Sequence, residues 1–390
     1  MEQRTVGVEE EFLLVDFDGV LVAGADSMLG WLQENLEPGQ SARFKPELQR
    51  VQIESVSQVY TDMDMLRTDL SGARERLAHA GHDAKLFVLP FGTAPVCGGH
   101  SCDAAEDSRY ARIHNRYREM TRAYTACGTH VHVGIDGMEL AVAVVNHLRP
   151  WLPTLIAVGA NSPFHDSRDS GYSSWRIAEQ ARFPGAGFPP FMHSADEYEA
   201  RVATLVDCGV LLDERMSFWL ARPSAVYPTV EVRASDVALT VDDAVLQAVL
   251  TRALVQTAVR KLEEGVEGPR IDEQVAAAAV WTAARHGLSG PAVDPIGEIQ
   301  VPAVQMLDNL IVWIVDELEE AGDIAVMKRL LAVMAQHGTG AVRQRVAART
   351  DISDLVGSFR LTTDDASIAA QDGRYQRLAY QHQENMRIEK

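Results

Sequence analysis

Three consecutive glutamates, Glu9, Glu10 and Glu11, interrupt the otherwise apolar segment TVGVEEEFLLVD at Thr5 to Asp16. In an extended strand, successive side chains point to opposite faces. Glu9 and Glu11 then share a face with Gly7, whereas Glu10 falls on the other face with Val6, Val8, Phe12 and Leu14. Two carboxylates one pleat apart on one face repel each other and favour a cation between them. The pattern recurs. In QRVQIESVS, Gln52 and Glu54 oppose Val51 and Ile53; in CGTHVHVGI, His130, His132 and Gly134 oppose Val131, Val133 and Ile135. In PTVEVRASD, Thr229, Glu231, Arg233 and Ser235 oppose Val230, Val232 and Ala234. Each group alone has a plainer explanation, a solvated strand glutamate or a hydrogen-bonded structural histidine. Together they predict the floor of a metal–nucleotide site.

Ligand type favours magnesium over zinc. Hard divalent cations take carboxylate oxygens and complete their shell with water or phosphate, whereas structural zinc prefers closed sets of thiolate and imidazole. Glu9, Glu11, Glu54 and Glu231 supply the oxygens, and Arg233, one pleat from Glu231, is placed to neutralise phosphate charge in a transition state.

The elements that must position these residues are strands at 5–16, 51–57, 86–90, 127–136 and 227–236, with helices at 62–84, 107–124, 138–149 and 195–208. Asp62 is the expected N-cap of the first helix. Beyond about residue 240 the pattern is nearly all helical, from Asp242-Asp243 through an alanine-rich stretch at 272–285 to helices from 301 to the end, with 287–298 as a linker-like break. Strands alternating with helices and carrying one polar face predict an α+β fold. With 390 residues, 46% of them hydrophobic, the chain can bury a large core. We read 1–390 as a single catalytic domain, with 1–240 carrying the sheet and active site and 241–390 a helical portion.

A net charge of −19 argues against nucleic acid. The apolar run 141–160 is broken by Asn146, His147, Arg149, Pro150 and Pro153, which argues against a membrane span, and no signal-peptide h-region is visible. Four cysteines suggest no disulfide framework, so a reducing cytoplasm is expected. A P-loop is absent, and the GTGA at Gly338 to Ala341 follows no strand. Homo-oligomerisation is left open.

The segments GVEEEF at 7–12, GTHVHVG at 128–134, ANSPF followed by RDSGYSSWR at 160–176, and RPSAVYPTVEVRASDV at 222–237 resemble the type 2 glutamate–cysteine ligase family, also called the carboxylate–amine ligase family. The resemblance implies a glutamine-synthetase-like fold, a curved and mainly antiparallel sheet with flanking helices whose concave face holds Mg²⁺ and ATP. It implies small-molecule substrates, an amino acid or other carboxylate plus an amine, joined through an acyl phosphate. Carried over, Glu9, Glu11, Glu54, His130, His132 and Glu231 match the metal-site residues. Arg168, Tyr172, Arg176, Arg222 and Arg233 fall in segments that shape the substrate and phosphate pocket, and Glu231, Arg233 and Arg176 are the expected catalytic set. The sequence departs from the pattern at FGTAPV, where Ala94 stands in place of a histidine common in the family. The following CGGHSC, Cys97 to Cys102, matches no common zinc module and reads as a flexible or substrate-adjacent loop. Two other readings stay open. His130-Val131-His132 is also the H-x-H arrangement of metal-dependent amidohydrolase barrels, and the polar face could serve a non-catalytic binding protein.

Overall fold

In the computed structural model, residues 3–96, 98, 109–122, 124–349 and 351–363 are described. Every expected strand segment contains a strand. We label these β1 (Val6–Val15), β3 (Gln52–Val56), β4 (Phe87–Leu89), β5 (Gly128–Gly134) and β7 (Thr229–Asp236); two short strands of the same sheet, not foreseen, are β2 (Phe44–Pro46) and β6 (Ala221–Pro223). They form one seven-stranded sheet in the order β6-β7-β5-β1-β3-β2, with β4 also pairing β1, and every pairing is antiparallel. The antiparallel sheet with flanking helices is the α+β architecture expected, and its strand order leaves no parallel barrel for the hydrolase reading.

The apolar sides of β1, β5 and β7 bury Val6, Val8, Val131, Val133, Val230 and Val232 against helices that include Met63–Asp83, Met138–Leu148, Leu152–Val158 and Val241–Glu263. Burial of each such side chain stabilises the fold by roughly 1.5–3 kcal/mol before ordering entropy is subtracted. The helix Met63–Asp83 begins at Asp62, whose carboxylate accepts from the Asp64 and Met65 amides at 2.8 and 3.0 Å. The helix Val241–Glu263 starts with a reciprocal capping box between Thr240 and Asp243. It is buried on most sides, as a core helix should be. The apolar stretch Met138–Val158 is long and apolar enough to cross a membrane, but 94% of an 18-residue window within it is buried inside the protein and a 3-10 turn at Arg149–Trp151 divides it, so it serves as core.

Glu10 lies on this helix side, fully buried. Its partner is Arg74 of the helix Met63–Asp83, which donates from Nη2 at 2.6 Å and from Nε at 3.2 Å. The same guanidinium donates to the carbonyls of Ala238 and Leu239 at 2.7 and 3.2 Å, so one buried ion pair joins the first strand, a helix and the exit of the last strand.

Three expectations are corrected. The predicted helix 107–124 is two helices, Arg109–Tyr117 and Glu119–Arg122, broken at Arg118 with φ of 53°. The segment 287–298 is no linker: Pro291–Asp294 pairs with Ile299–Pro302 in a hairpin, and Asp294 accepts from the Ile296 and Gly297 amides in its turn. In β7 a bulge between Val232 and Ser235 breaks the alternation, so Ser235 packs against Gly159 rather than continuing the face of Glu231. Cys97, His100 and Cys102 lie outside the described residues.

Candidate active site

Pairing register brings the polar groups together. Glu9 lies opposite His130, Glu11 opposite Glu54, and Glu231 opposite His132. All six line one polar cleft of about 220 Å³ on the sheet face away from the core helices. Glu9 Oε2 sits 3.5 Å from His130 Nδ1 and 3.6 Å from His132 Nε2, while His130 Nε2 is 3.7 Å from Glu11. Glu11 also accepts from the Gly128 amide at 2.5 Å. Glu231 is held between two arginines: Arg222 donates to it at 2.9 Å, and Arg233 reaches its other oxygen while approaching His130 Nδ1 at 3.3 Å.

The charges are unevenly matched. Burial pushes the Glu9 carboxyl up, but the His130 and His132 imidazoles beside it outweigh this and hold Glu9 well below the usual carboxylate range. Burial also opposes ionisation of Glu231, yet Arg222 and Arg233 hold it far below the ordinary value. Glu54 is pushed up to about 7 by burial and by the neighbouring Glu9, although Lys45 lies 3.2 Å away. Glu47 is driven well above the usual range by burial and by the charges of Glu11 and Glu54.

Glu47, in the loop between β2 and β3, is a site residue that strand alternation could not find. With Glu47 added, five carboxylates and His132 fall into two groups, within each of which the ligand atoms lie within 4.8 Å of one another: Glu9, His132 and Glu231, and Glu11, Glu47 and Glu54. The second group is all oxygen, the donor set a hard divalent cation prefers. His130 Nε2 and His132 Nε2 are buried without a hydrogen-bond partner. Crowded like charges and unpartnered donor atoms both fit a bound cation.

Arg176 reaches the cleft from the helix Trp175–Gln180, and the motif segments explain how. Asp236, buried at the end of β7, accepts from the Asn161 amide, Ser162 Oγ and Ser174 Oγ, each at 2.7 Å. Ser162 Oγ accepts in turn from the Arg176 amide at 3.0 Å. The Arg176 guanidinium lies over Gly128, where a Cβ would collide with Nη2, so glycine is required for this close approach. Arg168 and Tyr172, expected in the same pocket, do not line this cleft. Arg168 is exposed in a short hairpin, and Tyr172 accepts from Trp281 Nε1 at 3.1 Å in an aromatic cluster with Trp175. Further residues of the cleft wall, Arg109 and Tyr110, come from the helix Arg109–Tyr117, with Arg109 held by Asp213 through two 2.8 Å bonds.

A second cavity of about 650 Å³ adjoins the first, sharing Glu9, His132 and Tyr227 with it. Gly7 and Gly134 leave its floor low, and Val56 and Val59 give its sides apolar surface. The carboxylates and imidazoles thus stand where a large, partly apolar chamber meets a small, polar one.

A family model described as glutamate-cysteine ligase family 2 matches residues 5–347. A protein of Saccharopolyspora erythraea, named provisionally as glutamate–cysteine ligase 2-2, is 46% identical over 345 residues, 88% of each chain. One from Salinispora arenicola, provisionally glutamate–cysteine ligase 2, is 41% identical over 87% of this chain and 89% of its own. Among solved structures, glutamate–cysteine ligase from Francisella tularensis in complex with AMP superposes with a TM-score of 0.64 at 12% identity, covering 98% of this chain and 94% of that one. A bifunctional glutathione synthetase from Pasteurella multocida superposes with a TM-score of 0.66 at 13% identity over 97% of this chain, which spans about half of that protein (52%). At such identities the structural likeness speaks for the fold.

Proposed function

Because the chain belongs to glutamate-cysteine ligase family 2, and so to the ATP-dependent ligases that form a C–N bond, we propose that it activates the side-chain carboxylate of an amino acid as an acyl phosphate and passes the acyl group to an amine. The observation that supports this reading is the double group of metal-binding side chains at the junction of the two cavities. At about 650 Å³ the larger cavity lies within the range of small-molecule sites and suits the base and ribose of ATP. Its triphosphate then points towards Glu9 and His132, and the acceptor carboxylate occupies the polar cleft.

In the first step a carboxylate oxygen attacks the γ-phosphorus, the bond to the β–γ bridging oxygen breaks, and ADP leaves. In the second, the amine nitrogen attacks the acyl carbon, inorganic phosphate leaves with the bonding pair, and the amine proton passes to solvent. Both steps are direct displacements, so no protein nucleophile is needed. Positioning and charge neutralisation carry the rate. Arg233, fixed by Glu231 and beside His130, faces the transferring phosphoryl group. Arg222 keeps Glu231 ionised and its geometry constant. Glu11, Glu47 and Glu54, together with Glu9, His132 and Glu231, would hold Mg²⁺, which supplies neutralisation of the phosphate charge when bound.

The test is release of ADP and phosphate on mixing the protein with Mg-ATP, L-glutamate and a panel of amines that includes cysteine. Release that requires both carboxylate and amine is expected. Nucleotide binding without turnover for any pair would instead favour a non-catalytic role and overturn the proposal.

A further inference from the structure

The GTGA at Gly338 to Ala341 opens the helix Gly340–Ala347, beyond the segment 1–240 expected to carry the active site. Three consecutive polar residues of this helix each reach a different element. Arg343 pairs with Asp243 at the start of the core helix Val241–Glu263. Arg345 donates to the two oxygens of Asp169 at 2.7 and 2.8 Å and to the Tyr172 carbonyl at 2.8 Å. Gln344, fully buried, donates from Nε2 to the backbone carbonyl of Asn161 at 2.8 Å and to its side-chain Oδ1 at 2.7 Å.

Asn161 cannot turn away from that donor. Its own Nδ2 is committed to the Pro90 and Val237 carbonyls, both at 2.8 Å, so its Oδ1 must face a donor or stay buried and unmatched. The helix comes close enough to supply one because residue 340 is glycine, where a Cβ would collide with Asn161 Oδ1. The Ala341 amide adds a bond to the Ala160 carbonyl at 2.9 Å.

From Asn161 the bonds run on into the cleft wall. Its amide meets Asp236, which also holds the Ser162 and Ser174 hydroxyls, and Ser162 takes the Arg176 amide. Beyond that backbone bond little fixes Arg176. Among the described residues its guanidinium bonds only the Arg233 carbonyl, at 3.3 Å from each terminal nitrogen, and its Nε has no partner. Where the guanidinium stands in the cleft is therefore set by where its backbone is held.

We propose that Gln344 is a positioning residue for the cleft: by holding Asn161 it fixes Asp236 and Ser162, and through them the placement of Arg176. The helical C-terminal part is then a component of the site as well as a cover for the core. For its effect on turnover the proposal rests on the ligase reading; for the placement of Arg176 it does not.

Gln344→Met keeps the volume and removes both donated bonds. Two readouts are taken: hydrogen exchange at the Arg176 amide, and turnover with Mg-ATP, L-glutamate and an amine, the latter in wild-type and Arg176→Met backgrounds. Exchange at the Arg176 amide should rise about tenfold or more in Gln344→Met. Turnover should fall about tenfold to a hundredfold in the wild-type background but less than about twofold in Arg176→Met, because a residue acting through Arg176 then has nothing left to act through. Arg343→Met breaks the tie of the same helix to Asp243 instead, and should lower stability while leaving both readouts within about twofold of wild type. Arg345→Met, at a part-exposed pair, should move both readouts as Gln344→Met does but by less, and it carries the test if Gln344→Met does not fold. An equal loss of turnover in both backgrounds would overturn the proposal, since general loosening of the fold produces that result. So would an unchanged Arg176 amide, or one that Arg343→Met frees as much as Gln344→Met does. If wild type shows no turnover the ligase reading falls, and faster exchange in Gln344→Met still upholds the placement of Arg176.

Discussion

On the helix side of β1, both oxygens of the fully buried Glu10 meet the Arg74 guanidinium, which also closes two backbone carbonyls. On the cleft side, Glu9 and Glu11 face histidines at 3.5–3.7 Å, with Glu47 and Glu54 crowding in from β3 and the loop before it. Same residue type, same strand, one position apart: the first charge is fully matched by protein and the others are not. Glu231 sits between these cases, on the cleft side yet held by Arg222 and Arg233. A charge matched by protein is structural; a surplus of one sign beside a cavity is where a ligand of the other sign belongs.

Substitution should separate the two sides. Arg74→Met keeps the volume and leaves Glu10 buried without a partner, so we expect a loss of about 3–5 kcal/mol in chemical unfolding, with the activity of the folded fraction retained. Adding Glu10→Leu should recover most of it, since the isolated charge is then gone. Unchanged stability in Arg74→Met would break the comparison at its root. Glu54→Gln should do the converse. It relieves repulsion among like charges beside Glu9 and Glu11, so the melting temperature without metal should hold or rise, while turnover falls about 10²–10³-fold. A drop in melting temperature with turnover retained would show that the cleft carboxylates are structural too. Glu47→Gln is expected to be milder, raising the Mg²⁺ concentration for half-maximal activity about tenfold or more with KM for ATP at saturating Mg²⁺ unmoved.

Period-two alternation carries much of this. It places Glu9, Glu11, Glu54, His130, His132 and Glu231 on one face because each lies in a regular strand whose other face must be apolar. It fails at Ser235, because a bulge adds a residue that no hydrophobic pattern marks. Glu47 escapes for lack of any period, since it follows a strand of only three residues. Arg74, 64 positions from Glu10, is invisible because pairing between elements is set by packing and not by local spacing. The hairpin at Pro291–Asp294 and Ile299–Pro302 reads as a linker because its strands are short and its turn is rich in breakers. Of the segment that carries Arg168, Tyr172 and Arg176, only Arg176 lines the polar cleft, because a short exposed hairpin and an aromatic cluster hold the other two away from it.

Histidine extends the comparison, with the smallest expected effect. His130 and His132 lie among carboxylates on the cleft side, whereas His147, on the helix Met138–Leu148, is buried in the core with its ring 6.4 Å from that of Trp313 and Nε2 3.0 Å from the Val266 carbonyl. Burial lowers the pKa of His147, and Lys261 adds to the shift while the Val266 carbonyl opposes it. Between the folded value and the ordinary value of about 6.5, the unfolded chain binds more protons than the folded one. The His147 contribution is therefore intact above pH ~6.5 and is lost as pH falls from there through the lower folded value, with a slope of at most about 1.4 kcal/mol per pH unit. His147→Gln keeps a donor for the Val266 carbonyl and cannot titrate. Urea unfolding of both proteins from pH 7.5 to 5.5 should show wild type losing stability faster, so that the two curves converge or cross on acidification. Parallel curves would mean that His147 takes up its proton without penalty, and that the core side, like the cleft, tolerates a charge it has not matched.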